Sequence, residues 1–273
     1  MARQWKCGRT VVLAAALVWA ALILGCGDQG GSPSGPELGE EVDLSLYEPE
    51  NVEDLNLTYE VTLSGTVREA SVWYCGCETV YEMDPDTGQE VPIECDIFEQ
   101  EGERGGIPSS RIYVAGRYLY GIKSRQADRW GPLYLFQPKR PLAPEGNPRI
   151  GSTFDSGLCT ITSVFESQGT TFRQVESYRF WTTYEAIEDS LEVPAGKFYD
   201  VLRTRVRTRY HLEQTLYPDT TVVVTDYTSE DTQYVWIAEG IGTIKVADAR
   251  ANIDYEKVLV RANVDGETYP RTK

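Results

Sequence analysis

Histidine is almost missing from this chain: His211 is the single one in 273 residues. That excludes H-E-x-x-H zinc sites, multi-histidine metal centres and any relay built on two imidazoles. No G-x-S-x-G nucleophile elbow occurs. Carboxylates are the remaining acids and bases, and with 42 Asp and Glu no pair stands out. His211 itself ends an arginine-rich strand and reads as a solvated strand-end residue. The expectation is a non-enzymatic protein with no catalytic residue, no metal set and no cofactor. Cations are scarce too. No Lys or Arg lies between Arg9 and Arg68, and 26 basic residues face 42 acidic ones, a net charge of −16. Such a surface repels nucleic-acid phosphates, so no nucleic-acid partner is expected. Helical periodicity is missing after residue 56, and no repeat of about 20–50 residues recurs. Gly25-Cys26-Gly27-Asp28-Gln29-Gly30 spells G-x-G-x-x-G, but no strand pattern precedes it and no helix pattern follows, as a dinucleotide site would need.

The one long apolar run is Val11–Leu24, preceded by Arg3, Lys6 and Arg9. About 14 residues at about 1.5 Å each give a helix of about 21 Å, short of the ~20 residues that a bilayer core requires. A charged start, a short apolar stretch and a small residue at Gly25 are the parts of an export signal. The run Leu22-Ile23-Leu24-Gly25-Cys26 resembles the lipobox of bacterial lipoprotein signals. That resemblance implies cleavage after residue 25 and acylation of Cys26, with two or more chains giving stable anchoring. Removing residues 1–25 takes away three cations and no acid, so the mature chain carries −19.

Gly27 to Pro36 is rich in Gly, Ser and Pro, and residues 37–56 carry eight acids. Residues 26–56 therefore read as the lipidated cysteine and a flexible acidic linker, with at most a short ordered piece near Leu44–Tyr47. Residues 57–273 read as one antiparallel β domain. Short runs of alternating β-branched and aromatic residues recur between turn signals, as in Leu57–Val67, Ala70–Met83, Thr171–Ile187 and Phe198–Leu212. The expected fold is all-β: a large curved antiparallel sheet, a half-barrel or open-barrel meander. The prolines from Pro138 to Pro148 argue for a loop there.

Cys75, Cys77, Cys95 and Cys159 form an even set suited to an oxidising compartment. A turn centred on Asp86 sets Met83 opposite Gln89 and Cys77 opposite Cys95. This favours Cys77–Cys95 with Cys75–Cys159; the alternative exchanges Cys75 and Cys77. A four-thiolate zinc site lacks the usual C-x₂-C spacing. Asp84–Glu90 faintly matches a calcium loop, but a plain hairpin turn accounts for the same letters. The sharpest pattern is Leu202–Tyr210, where period two puts Arg203, Arg205, Arg207 and Arg209 on one face. That stripe reads either as an ion-pair ladder with partners such as Glu185 and Asp226, or as an anion-binding surface.

Leu191–Leu202 contains V-P-A-G-x-F, and Tyr234–Lys245 contains W-x-A-x-G-x-G-x-I-K. Together they resemble uncharacterised bacterial envelope lipoproteins, TapB-like proteins among them, with a LolA/LolB-like half-barrel as the expected fold. The resemblance spans roughly residues 185–250. It implies a concave face that holds an apolar or amphiphilic ligand, or another lipoprotein, with Trp181, Tyr234 and Trp236 as candidate lining. The alternative is an interaction or structural lipoprotein without a cavity, bound to an envelope protein partner. Gly27 after the cysteine, set against sorting rules in two-membrane bacteria, leans the anchor towards the outer membrane.

Overall fold

The computed structural model describes residues 39–49, 52–83, 87–101, 109–126, 129–219, 221–249 and 255–269. The signal segment 1–25, the lipidation candidate Cys26, and Asp84, Pro85 and Asp86 of the calcium-like turn lie outside the described residues. A 3₁₀ turn at Leu44–Tyr47 comes first. The strands are β1 (Asn56–Leu63), β2 (Thr66–Met83), β3 (Glu90–Gln100), β4 (Ser110–Ala115), β5 (Tyr118–Gln126), β6 (Arg129–Trp130), β7 (Tyr134–Pro141) and β8 (Thr153–Asp155). They continue as β9 (Cys159–Ser167), β10 (Thr170–Val193), β11 (Gly196–Leu216), β12 (Val223–Ala238), β13 (Gly242–Asp248), β14 (Tyr255–Val264) and β15 (Glu267–Tyr269).

All pairings are antiparallel, and the strand order follows the chain almost without exception, as a meander does. Tight turns make this possible. Ser64-Gly65, Gln168-Gly169 and Asp265-Gly266 each have positive φ at both residues. That is the primed geometry whose twist matches the flanking strands, and it costs least with glycine second. The meander bends until β1 pairs with β14 over its whole length, which closes the sheet into a ring.

Alternation sends one face of each strand inward. Tyr178, Phe180 and Tyr184 of β10, Leu202, Val206 and Tyr210 of β11, and Val235 and Ile237 of β12 are all buried there. Leu57 and Tyr59 of β1 and Phe98 of β3 join them in one apolar cluster. At about 1.5–3 kcal/mol for each fully buried side chain, this interior is the main source of stability. Some of its polar members are hydrogen-bonded, while Thr182 Oγ1 and Thr243 Oγ1 are buried without a hydrogen-bond partner among the described residues. Glu176 accepts from the Tyr178 hydroxyl, from Gln174 Nε2 at 2.7 Å and from the Tyr210 hydroxyl at 3.4 Å. The Arg140 guanidinium lies 4.4 Å from the Phe180 ring centre. Burial lowers its pKa to about 10, which leaves it charged at neutral pH. A smaller cluster of Val80, Cys95, Ile97, Tyr113 and Tyr120 packs separately.

Residues 39–49 and 52–55 form a strap across the ring. Gly39 and Val42 donate their amides to the Ile150 and Pro148 carbonyls, and the Leu55 carbonyl accepts from the Tyr74 amide. Val42, Leu44, Tyr47 and Leu55 are buried in the ring's core. Asp43, Glu53 and Asp54 between them are exposed, so composition alone hid an apolar set spaced along the segment.

Three local expectations change. The β2–β3 register sets Met83 opposite Glu90 and Cys77 opposite Asp96, one residue away from the symmetric turn. A one-residue slip turns every side chain to the other face. Cys77 is exposed while Cys95 is buried in the smaller cluster. Cys159 sits in the main core, donating to the Tyr178 carbonyl at 3.4 Å, and Cys75 is exposed beside Glu99 Oε2 at 3.6 Å. All four thiols are free in this structure, which supports neither Cys77–Cys95 with Cys75–Cys159 nor the exchanged pairing. The third change is β7, which continues through Pro138 to Pro141. Its pairing with β5 breaks register between Leu119 and Gly121, a gap that accommodates a residue with no amide to donate.

Candidate interaction lobe and outer face

The ring is unequal in height. β13 pairs with β12 only over Gln233–Ala238, and β7 meets β9 at the single pair Gln137–Thr160. Beyond those points β9, β10, β11 and β12 run on together as a four-stranded lobe, residues 161–176, 210–219 and 221–231. Among the described residues no strand lies beside the outer edge of β9 over 161–167 or of β12 over 225–230.

The lobe ends in apolar side chains. Tyr217, Val222, Val223 and Val224 are 51, 44, 54 and 50% exposed. Phe165 and Phe172 stack with centroids 5.6 Å apart in the adjoining hairpin, where the Tyr217 amide donates to the Thr171 carbonyl at 3.0 Å. The turn between β11 and β12 is held by Asp219, which accepts from the Thr221 hydroxyl at 2.6 Å and its amide at 3.1 Å. Those two bonds hold the Asp219 carboxyl below the usual range.

At the other end of β11 sits the strap. The Gly240 amide donates to the Leu46 carbonyl at 2.8 Å, and the Tyr47 hydroxyl donates to the Asp200 carbonyl at 3.1 Å. Burial first, then Glu239 and Asp200, pushes the Tyr47 hydroxyl up to about 12. The two sequence motifs meet at this end: Ala195, Phe198, Tyr199 and Glu239 line an open cleft of about 570 Å³ with Tyr269. Sixteen residues of β11 separate Asp200 from Leu216. At about 3.3 Å per residue the lobe tip stands about 50 Å from the strap.

The arginines lie on the outer face, as alternation requires, because Leu202, Thr204, Val206, Thr208 and Tyr210 take the inner one. Register places the candidate aromatic residues on that same outer face. Arg207 is opposite Trp181 of β10, Arg205 is opposite Tyr234 of β12, and Arg203 is opposite Trp236. Trp181 and Tyr234 therefore face outward, while Trp236 is half-buried and packs against the main core; Phe180, Val235 and Ile237 line the interior. The stripe is largely neutralised. Glu185 is shared by Arg203 and Arg205 at 3.2 Å each, Glu188 takes Arg203 at 2.9 Å, and Glu230 takes Arg207 at 2.8 Å and Arg209 at 4.0 Å. His211 lies 3.6 Å from Asp226.

Cationic groups also cover the rings: the Arg179 and Arg207 guanidinia lie 5.0 and 4.9 Å from the Trp181 ring centre, and the Lys245 ammonium lies 5.4 Å from that of Trp236. Asp155 fastens this corner, accepting from Arg179 and from Trp181 Nε1 at 3.1 Å. The Arg179 hydrogen bond, the Gly157 amide and Trp181 hold its carboxyl below the ordinary value of 3.8. Each exposed pair of this kind contributes at most about 1 kcal/mol; together they form a charged and largely self-paired surface.

No protein-family model matches the chain, and no curated protein matches it. Two solved structures do. One is a "putative lipoprotein" from Parabacteroides distasonis, 12% identical, covering 81% of this chain and 100% of the other at a TM-score of 0.32. The second is a "putative exported protein" with YmcC-like fold from Bacteroides fragilis, 11% identical, covering 80% and 99% at a TM-score of 0.33. Likeness at that level carries no inference about function. The lobe and its two open edges had one signal in the sequence: the runs Thr171–Ile187 and Phe198–Leu212 are long, and few later runs match them.

Proposed function

We propose that this chain is a non-enzymatic, lipid-anchored envelope protein that acts as an interaction module through the outside of a filled β ring. The observation that carries this reading is the placement of its two ends. The strap, which follows Cys26 in the sequence, meets one end of β11 through Leu46 and Tyr47, and the lobe reaches about 50 Å away from that end. An anchor at one end and an apolar, open-edged lobe at the other suit a protein that presents a surface to an envelope partner at a distance from its own membrane. The packed interior supports the cavity-free alternative over an acyl-chain carrier. The TapB-like and LolA/LolB-like resemblance and the outer-membrane address belong to this proposal, and both rest on sequence motifs. A second reading, an amphiphilic ligand, has one specific place to go: the cleft between Phe198, Tyr199 and Tyr269 at the strap end.

The anchor is tested by feeding radiolabelled palmitate to cells expressing the full chain or its Cys26→Ser variant, followed by membrane fractionation. Label in the wild type and none in the variant is expected. An unlabelled wild type in the soluble fraction overturns the anchoring half of the reading.

A further inference from the structure

Among the described residues no strand pairs with β12 over Thr225–Glu230 on its outer side, and that edge is unusual in what it lacks. Sheet edges are commonly guarded by Lys, Pro or an inserted bulge, because unpaired amides and carbonyls invite another strand. Thr225–Glu230 has no Lys, Arg or Pro. The register irregularity of β12 opposite β11 falls earlier, between Gln214 and Thr215, beside the tip. What the edge does carry is acid. Asp226 and Glu230 lie four residues apart on the outer face, and the Asp226 side chain is 67% exposed. On the inner face Tyr227 is 39% exposed and approaches Tyr210 with ring centroids 6.5 Å apart.

A second copy of the chain is a poor occupant. An antiparallel pair of these edges with outer faces flush, centred on Thr228, sets Asp226 of one copy against Glu230 of the other. Like charges directly opposite oppose pairing. The complement of the edge is an extended segment with basic residues at i and i+4 on one face and apolar residues on the other.

We infer that the β12 edge at Thr225–Glu230 is a strand-addition site for an extended, basic and apolar segment of a partner protein. Main-chain hydrogen bonds supply the affinity and the Asp226–Glu230 spacing supplies the selectivity, as in other sheet-extending recognition. This inference rests on the interaction-module reading and names the surface through which it works. Arg207 and Arg209 on Glu230, and His211 beside Asp226, all one strand away, moderate the acids and set a limit on how basic the partner is.

The test uses the full chain in detergent with a synthetic probe, acetyl-Val-Lys-Val-Thr-Val-Lys-Val-amide, and a counterpart with Glu in place of both Lys. Amide hydrogen exchange at Thr225–Glu230 is expected to slow on adding the Lys peptide, with the Glu peptide about tenfold weaker, or about 1.4 kcal/mol. Asp226→Lys, at an exposed position that leaves the core untouched, is expected to narrow or invert that preference. Equal effects of both peptides, protection confined to the β9 edge, or no protection at all overturns the inference. So does protection that grows with protein concentration when no peptide is present, which assigns the edge to a second copy. Failure here leaves the anchoring and the filled ring standing, since neither depends on a peptide.

Discussion

Replacing Tyr47 by alanine isolates the strap from the rest of the fold. The ring of Tyr47 is 4% exposed and packs into the main core, and its hydroxyl donates to the Asp200 carbonyl at 3.1 Å. Truncating a buried aromatic costs about 3–5 kcal/mol, part transfer and part cavity. For a domain of this size each kcal/mol moves the melting temperature by about 2–4 °C, so the expected fall is about 6–20 °C. Tyr47→Phe keeps the ring and removes the hydrogen bond, at about 0.5–1.5 kcal/mol, or about 1–6 °C.

The two variants also differ in alkali. Because the folded hydroxyl titrates near 12 against an ordinary 10, its contribution is complete below pH 10 and lost as pH rises through 12. Tyr47→Phe is expected to lack that part of the alkaline loss. The assay is thermal unfolding of the full chain in detergent, followed by far-ultraviolet circular dichroism. A Tyr47→Ala protein that melts within 1 °C of wild type would refute the reasoning, because the strap would then lie outside the cooperative unit.

Three further predictions follow from the same geometry. Maleimide is expected to label Cys75 and Cys77 in the native protein but Cys95 and Cys159 only after denaturation, since burial raises the latter two thiols to about 11; an unreduced mass short by two or four hydrogens in the β domain contradicts this. Acid is expected to release the Asp155–Arg179–Trp181 corner. A depressed carboxylate stabilises above its ordinary pKa of 3.8 and loses that contribution as pH falls through the folded value, so the fluorescence difference between wild type and Trp181→Phe should stay flat down to about pH 4 and change below it. Phe180→Ala, at 0% exposure under the Arg140 guanidinium, is expected to cost about 3–5 kcal/mol in urea unfolding, whereas Arg209→Ala on the outer face should cost under about 1 kcal/mol.

Much of this fold is legible in period-two patterning. The alternation from Leu202 to Tyr210 gives the two faces of β11 correctly, since one face must be apolar to be buried. The same rule places Trp181, Tyr234 and Trp236 beside the arginines once register is known, but register is what a single strand does not reveal. At the β2–β3 turn a one-residue shift was enough to part Cys77 from Cys95. Closure of the sheet through β1 and β14 joins residues about two hundred positions apart, which no local window reaches. The strap escaped for a different reason: Val42, Leu44 and Tyr47 are too few among acids to look like a core segment, and what buries them is the ring itself. The open edges are a property of unequal strand lengths, and strand ends are set by neighbours as much as by sequence.

The central proposal is that the ring interior is filled by the buried side chains of its described strands, Tyr178, Phe180, Leu202 and Tyr210 among them, and leaves no room for a lipid. Native mass spectrometry of the full chain, released from detergent in the gas phase, tests it most directly. A mass equal to the acylated polypeptide alone is predicted. A stoichiometric adduct of lipid mass, retained through release and lost on denaturation, would contradict it and make the protein a carrier.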